Sequence, residues 1–80
     1  MSNKQWLEAH GFADQYGMWV RDNVRIQCGA EGPATCRIVG CFDVTAVKAE
    51  SSSAELAMYE AVAELGEAHR KALAIWSELA

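Results

Sequence analysis

The sequence predicts an α+β fold in which a three-stranded antiparallel β-meander lies between a short N-terminal helix and a long C-terminal helix. Two observations lead to this prediction. Segments between residues 15 and 47 show the apolar alternation of half-buried strands. From Ser52 or Ser53 onward apolar residues recur every three or four positions, which is the period of an amphipathic helix. We expect a single domain over residues 1–80 with the order α-β-β-β-α and the long helix on one face of the sheet.

The first element is expected to be a helix over residues 3–10. Ser2 is a suitable N-cap, and Gly11 lies at the position just beyond the helix where glycine is favoured. Trp6 and Leu7 share one side of this helix. Because an isolated helix this short is marginal in water, it must be held by packing, and we expect it at an end of the sheet.

The next two elements are expected to be strands, 15–20 and 24–28, joined by a tight turn at Asp22-Asn23. This turn would place Trp19 opposite Ile26. The second strand alternates clearly between apolar and polar side chains. A shift of one residue would reverse its two faces, so the pattern constrains the register.

The third strand is expected to be long, from Thr35 to Val47, with Gly40 at a bulge or bend. If Cys28 lies opposite Cys36, the apolar residues of the second and third strands share one face. The stretch CGAEGPATC then becomes the connection between these two strands.

The last element is expected to be a helix of some 26 residues, roughly 39 Å long. Ser52 and Glu55 fit a capping box, and Gly66 is expected where the helix approaches the sheet closely. The predicted apolar stripe that faces the sheet contains Leu56, Tyr59, Val62, Leu65, Gly66, His69, Ala72 or Leu73, Trp76 and Leu79.

The composition narrows the functional classes. Hydrophobic residues form 51 % of the chain, which is enough for a core and unlike a disordered segment. The N-terminal sequence has no secretory pattern, and no stretch approaches the roughly 20 apolar residues that span a bilayer. We expect a cytoplasmic protein without a membrane partner.

Charge is divided unequally along the chain. Acidic and basic residues balance over 1–48, whereas residues 49–80 hold six glutamates against Arg70 and Lys71, which accounts for the net charge of −4. Direct nucleic-acid binding requires a basic surface. We therefore expect no nucleic-acid partner, and the acidic region permits a basic protein partner.

The three cysteines allow three interpretations. Cys28 and Cys36 could form a disulfide, although the odd cysteine count and the missing secretion signal oppose it. A zinc site is disfavoured because no C-x-x-C pair is present. The favoured interpretation is that Cys28 and Cys36 are small buried hydrophobic residues, with Cys41 as the more accessible thiol.

Catalytic motifs are missing from the sequence. A thiol–imidazole pair of Cys28 or Cys36 with His69 would require the helix to cross at that point, and a core histidine is the alternative. The sequence CGAEGPA lacks the spacing of a phosphate-binding loop. We expect no enzymatic activity, no metal and no cofactor.

Two surfaces are candidates for partner binding, and each could instead be an ordinary solvated face. The second face of the sheet mixes apolar and arginine side chains, as interfaces do. Met58, Tyr59, Trp76 and Leu79 of the last helix are expected to extend beyond the sheet as a second contact region, which would favour a homodimer. The candidate residues are Glu55, Glu60, Glu64 and Glu67 on the acidic helix, and Met18, Val20, Arg25 and Arg37, with Gln27, Val39 and Cys41, on the sheet.

The acidic residues Glu60, Glu64 and Glu67, preceded by Glu50 and Glu55, support a resemblance. In size, acidity and format the chain resembles the small phage-encoded anti-CRISPR inhibitors. Members of that group commonly bind a subunit of a CRISPR surveillance complex and block its access to DNA, some through carboxylates that imitate phosphate spacing. The resemblance implies an inhibitor that binds a CRISPR effector subunit in the host cytoplasm.

The sequence thus leads to a small non-enzymatic protein-binding inhibitor as the expected function. The alternative is a homodimeric structural or assembly subunit of a phage or bacterial complex. A zinc or redox module that uses the thiols is a third hypothesis. The sequence leaves the choice between monomer and homodimer open.

Overall fold

The structure is a computed structural model that describes residues 2–40, 42 and 44–79. Two helices and five strands follow one another along the chain. The helices lie on the same side of a single sheet. The elements are α1 Asn3–Ala9, β1 Ala13–Gln15, β2 Met18–Arg21, β3 Val24–Cys28, β4 Ala34–Val39, β5 Thr45–Ser51 and α2 Ala54–Leu79.

The α+β class is confirmed, but the predicted number of strands is wrong. The sheet has five antiparallel strands in the order β1-β2-β3-β4-β5, so that every strand pairs with its neighbour in the chain. The first predicted strand, 15–20, is interrupted by a turn at Tyr16 and Gly17, both of which have positive φ. Asp14 stabilises this turn, since its Oδ1 accepts a hydrogen bond from the Gly17 amide at 3.0 Å.

The predicted long strand Thr35–Val47 is in fact the hairpin formed by β4 and β5. The Gly40 amide donates a hydrogen bond to the Val44 carbonyl at 2.8 Å, which closes the connection. Phe42 lies within it at a φ of 59°. The expected irregularity is present as a register shift between Ile38 and Val39.

The predicted register is correct for one strand pair and wrong for the next. Trp19 lies opposite Ile26, as the two-residue turn predicts. Between β3 and β4, however, Ile26 lies opposite Cys36, and Cys28 lies opposite Ala34. The predicted pairing of Cys28 with Cys36 is therefore wrong by two residues. A shift of two keeps every side chain on its face, which is why the apolar pattern could not detect it.

The core lies between the sheet and the two helices. Leu7, Ile26 and Cys36 are the largest fully buried side chains, and one comes from each of α1, β3 and β4. Because Leu7 belongs to this cluster, α1 lies beside α2 and not at an end of the sheet as expected. The other buried apolar members are Phe12, Val24, Ala34, Ile38, Val47, Ala49, Ala54, Ala57 and Ala61.

Asn3 joins both helices to the loop between β3 and β4. The expected cap is present, because Gln5 N donates to Ser2 Oγ at 3.2 Å and Ser2 N donates to Gln5 Oε1 at 3.0 Å. The buried Asn3 side chain donates to the carbonyls of Gly29 and Gly32, and its Oδ1 accepts from the Ala54 amide at 2.9 Å. The stretch CGAEGPATC thus anchors the starts of both helices.

The N-cap of α2 is Ser53, the second of the two predicted starting positions. The Leu56 amide donates to Ser53 Oγ at 3.2 Å, and the Ala57 amide donates to the Ser53 carbonyl. Because the residue three positions after Ser53 is Leu56, the predicted capping box of Ser52 with Glu55 does not form. Glu55 still lies in the first turn, where a negative charge is favourable.

The side of α2 that contacts the sheet also differs from the prediction. Ala54, Ala57 and Ala61 are fully buried, whereas Leu56 and Tyr59 of the predicted stripe are 47 % and 74 % exposed. Alanines let the helix approach the sheet closely, and the larger residues are displaced to the outer side. Met58 packs against the edge of this contact.

Beyond Ala61 the helix extends away from the core. Every residue from 62 to 79 is exposed, and the molecule measures 47 × 24 × 18 Å because a helix of this length outreaches the sheet. We name Ala54–Ala61 the packed half and 62–79 the overhang. Gly66 lies in the overhang with nothing within 4 Å of a Cβ built on it, so its predicted close approach to the sheet is wrong.

Candidate functional site

The predicted acidic face brings together three of its four glutamates. At 3.6 residues per turn, Glu60, Glu64 and Glu67 lie along one side of α2, whereas Glu55 points to a different side. All four are exposed. Glu60 accepts a hydrogen bond from Ser51 Oγ at 3.4 Å, and Glu67 forms an ion pair with Arg70. These contacts leave a short acidic stripe rather than an extended one.

The sheet-face candidates lie together on the face that the helices do not cover. Met18 lies opposite Gln27, and Val20 lies opposite Arg25, which in turn faces Arg37. Met18, Val20, Arg25 and Arg37 are half-buried. Val39 is buried near the register shift and offers little contact surface, and Cys41 is outside the described residues.

One row of this open face concentrates positive charge. Arg25, Arg37 and Lys48 lie directly opposite one another on three adjacent strands. Like charges in this arrangement are unfavourable. Arg25 donates to the Asp22 carbonyl at 2.6 Å, and the Lys48 ammonium lies 3.5 Å from Glu50. The sequence candidates included the two arginines but missed Lys48, because β5 was not recognised as a separate strand.

The cysteines Cys28 and Cys36 are free thiols inside the fold. Burial raises the pKa of Cys36 from 9.0 to about 11 and also raises the pKa of Cys28. The Cys36 sulfur lies 3.8 Å from the sulfur of Met58. His69 lies on the overhang, so the catalytic pairing of a strand thiol with this imidazole is not assembled. Cys41 lies outside the described residues.

A surface cleft of about 310 Å³ opens between α1, α2 and the β2–β3 turn. Trp6 forms its apolar wall and stacks on His10 with ring centroids 4.4 Å apart. Arg21 crosses its rim and donates to the His10 carbonyl at 2.5 Å. Since these polar groups bond to the protein itself, the cleft presents an apolar wall and no converging catalytic groups.

The described part of the chain contains neither a metal-ligand cluster nor a membrane-spanning helix. Within 2–40, 42 and 44–79, no group of three or more His, Cys, Asp or Glu side chains is arranged to hold a metal ion. Among the described helices, none combines the length and the apolar composition required to cross a membrane.

A line of exposed apolar residues follows one side of the overhang. Val62, Leu65 and His69 are followed by Ala72, Trp76 and Leu79, so the intervals alternate between three and four residues. This is the heptad spacing of a helix that pairs with another helix. Gly66 and Leu73 flank this line on one side, and Ala68 and Ile75 flank it on the other. We name these ten residues the overhang surface.

The overhang surface is both exposed and free of formal charge at neutral pH. Leu65 is 40 % exposed, and the exposed fraction rises to 68 % at Trp76 and 76 % at Leu79. The charged residues of the overhang occupy the remaining side of the helix: Glu64, Glu67, Arg70, Lys71 and Glu78. A solvated helix would place its large apolar side chains inward, so this surface is suited to protein contact.

The overhang surface also continues the side of α2 that contacts the sheet. Leu65, Ala68 and Ala72 follow Ala54, Ala57 and Ala61 along the same direction of the helix. The sheet covers this side only as far as Ala61. Beyond Ala61 this side of α2 continues, but none of the described residues packs over it.

No protein-family model, curated protein or solved structure matches this chain.

The sequence reasoning identified Val62, Trp76 and Leu79 as apolar but assigned most of the stripe to the sheet contact. Its suggestion that Trp76 and Leu79 extend past the sheet agrees with their exposure. A signal that could have located the overhang surface is that Leu65 and Trp76 join the alanines along this side of α2 beyond Ala61. The packed half contains Ala54, Ala57 and Ala61, and the large residues begin after them.

Proposed function

We propose that this chain is a small non-enzymatic protein-binding module whose contact surface is the overhang surface of α2. One observation carries the proposal: large apolar side chains line one side of an exposed helix, and that side carries no Asp, Glu, Lys or Arg. Trp76 is the largest of these side chains and lies near the end of the helix. Tryptophan is among the residues that contribute most to binding when it fills a pocket on a partner.

The test compares two variants that carry the same substitution on opposite sides of the helix. Ala72→Glu places a carboxylate in the overhang surface, whereas Ala74→Glu places it on the outer side two residues away. Wild-type protein and both variants are immobilised, exposed to a bacterial lysate, and the captured proteins are identified by mass spectrometry. We expect Ala74→Glu to retain the captured partner and Ala72→Glu to lose it. Equal capture by the two variants would exclude the overhang surface.

A second candidate is the inhibitor function expected from the resemblance, in which the chain binds a CRISPR effector subunit and blocks its access to DNA. The observation in its favour is the stripe of Glu60, Glu64 and Glu67, which lies on the outer side of α2 and leaves the overhang surface free. A basic effector surface would be attracted to these carboxylates.

The inhibitor candidate is tested by charge reversal. Replacing Glu60, Glu64 and Glu67 with lysine together is expected to weaken binding to a CRISPR effector subunit without unfolding the domain, because all three side chains are exposed. The comparison variant carries Arg25→Glu and Arg37→Glu on the sheet face. If only the sheet-face variant loses binding, the acidic stripe is the wrong surface.

A further inference from the structure

We propose that the overhang surface binds the same surface of a second copy, with the two α2 helices antiparallel and the overhangs side by side. The inference rests on the proposed function, because it names the partner of the surface described there. It is supported by the register of the apolar residues, by the sizes of the flanking residues and by the position of the sheet.

The apolar residues match one another when the overhang is turned end over end. If the two helices cross between residues 70 and 71, Val62 faces the partner's Leu79. In the same register Leu65 faces the partner's Trp76, and His69 faces the partner's Ala72. All six residues of the central line therefore meet another member of that line, which is the arrangement of an antiparallel helix pair.

The flanking residues match by size in this same register. Gly66 lies beside the partner's Leu73, and Ala68 lies beside the partner's Ile75, so that a small residue meets a large one on both sides. Such alternation lets two helix surfaces interlock at normal packing density. It also provides a reason for Gly66, which has open space around it in the single chain although glycine weakens a helix interior.

Charge favours the same arrangement. The glutamates, Arg70 and Lys71 of the overhang lie away from the overhang surface, so pairing buries no formal charge at neutral pH. His69 is the only polar side chain on the surface, and in this register it faces the small side chain of the partner's Ala72. A charged partner surface would find no counter-charge here.

The position of the sheet selects the antiparallel orientation over the parallel one. The sheet covers the packed half on the same side of α2 that carries the overhang surface. In a parallel pair the packed half of the second helix would occupy the space of the first copy's sheet. In the antiparallel pair the second helix runs beside residues 62–79 alone, in the layer that the sheet leaves empty, because helix pairs pack 8–10 Å apart.

The size of the contact is sufficient for a reversible dimer. An overhang of 18 residues is about 27 Å long. Burial of its large side chains from both copies would remove on the order of 1,200 Å² from solvent, which reaches the lower limit of stable protein interfaces.

The first experiment is sedimentation equilibrium of the whole chain from about 1 µM to 500 µM. We expect the mass to rise with concentration from 8.7 kDa toward twice that value. Ala72→Glu is expected to raise the dimer dissociation constant about 100-fold, since the larger charged side chain must lose its water and has no room where the two helices cross. Ala74→Glu, the matched control, is expected to change the constant less than threefold.

The orientation is tested by a pair of opposite charges. Leu65→Lys or Trp76→Glu alone is expected to prevent dimer formation. The double variant is expected to recover it, because the antiparallel register places each introduced lysine beside an introduced glutamate, whereas a parallel pair would join like charges. Recovery supports the proposed register, and failure to recover overturns it. Far-ultraviolet circular dichroism confirms that each variant remains folded.

A mass of 8.7 kDa at every concentration would overturn the inference. So would a dimer that Ala72→Glu and Ala74→Glu weaken equally. Neither result decides the proposed function, which the lysate capture experiment tests separately. A monomer can still bind another protein through the overhang surface, and Ala72→Glu alone would then abolish that capture. In that case the partner is a different chain, and only the second copy is excluded.

Discussion

The two halves of α2 present the same side of one helix, but they differ in what covers it. In the packed half the residues at this side are alanines, and the sheet lies directly against them. In the overhang the same side carries Leu65 and Trp76, which are exposed. The difference shows that residue size follows the depth of the available space. Only alanines lie where the sheet approaches closely, whereas beyond the sheet Leu65 and Trp76 accompany Ala68 and Ala72 on this side.

The largest expected effect comes from placing a charge in the packed half. Ala57→Glu buries a carboxylate against the sheet and is expected to lower the free energy of unfolding by about 3 kcal/mol or more. Ala63→Glu, an exposed control on the outer side of the overhang, is expected to change it by less than about 0.5 kcal/mol. Urea unfolding followed by circular dichroism measures both. Equal losses would show that the two halves do not differ as described.

The next effect concerns the anchor at the start of the packed half. Asn3→Ala removes three side-chain hydrogen bonds, including the one from the Ala54 amide, and is expected to cost about 2–3 kcal/mol because the backbone groups that it leaves are partly buried. Ser2→Ala removes only the exposed α1 cap and is expected to cost about 1 kcal/mol. If Ser2→Ala proves the more damaging in urea unfolding, Asn3 does not join the helices to the loop.

The ionisation of Cys36 is sensitive to the packing of the packed half, because the sulfur of Met58 lies against the Cys36 sulfur. Burial raises the pKa of this thiol from 9.0 to about 11 in the folded chain. The unfolded chain therefore loses this proton first, and stability should fall as the pH rises from about 9 toward 11. Urea unfolding across this range measures the slope, and Cys36→Ala should lack the part that the thiol contributes.

Thiol labelling extends this test to the two halves. A disulfide reagent should modify Cys36 slowly in the wild type, since the thiolate is both buried and scarce. Ala57→Glu should accelerate the labelling, and Ala72→Glu should leave its rate unchanged. Acceleration by Ala72→Glu would contradict the independence of the two halves.

The smallest effect concerns the polar member of the overhang surface. His69→Leu adds an apolar side chain next to the partner's Ala72 and is expected to tighten the dimer about tenfold, equivalent to about 1.4 kcal/mol. Arg70→Leu is the control on the neighbouring outer position and should not tighten it. Sedimentation equilibrium compares the two constants. A weaker dimer with His69→Leu would place this histidine in a required polar contact.

The fold was predictable where local chemistry determined it. Asp22 and Asn23 fixed a two-residue turn, and with it the pairing of Trp19 with Ile26. The register of β3 with β4 was not determined, since a shift of two residues preserves both faces and the loop at Gly29–Pro33 can adopt either length. The strand β1 is short and fully exposed, so it carried no apolar pattern to recognise.

The candidate site was predictable only in part, because two sides of α2 carry apolar residues and either could have faced the sheet. The helical period was correct, but the large residues Leu56 and Tyr59 were preferred over Ala54 and Ala57 as core positions. Periodicity measures where apolar residues recur and gives no weight to the close approach that alanine permits. The residue of α2 at which the sheet contact ends depends on tertiary packing, so the overhang could be located only from the structure.

The central claim is that a second copy covers the overhang, and hydrogen exchange at two protein concentrations tests it most directly. Amides of the packed half should be protected at both 1 µM and 500 µM, because the sheet covers them in each copy. Amides of the overhang should exchange rapidly at the lower concentration and become protected at the higher one. Overhang exchange that is equally rapid at both concentrations would contradict the claim.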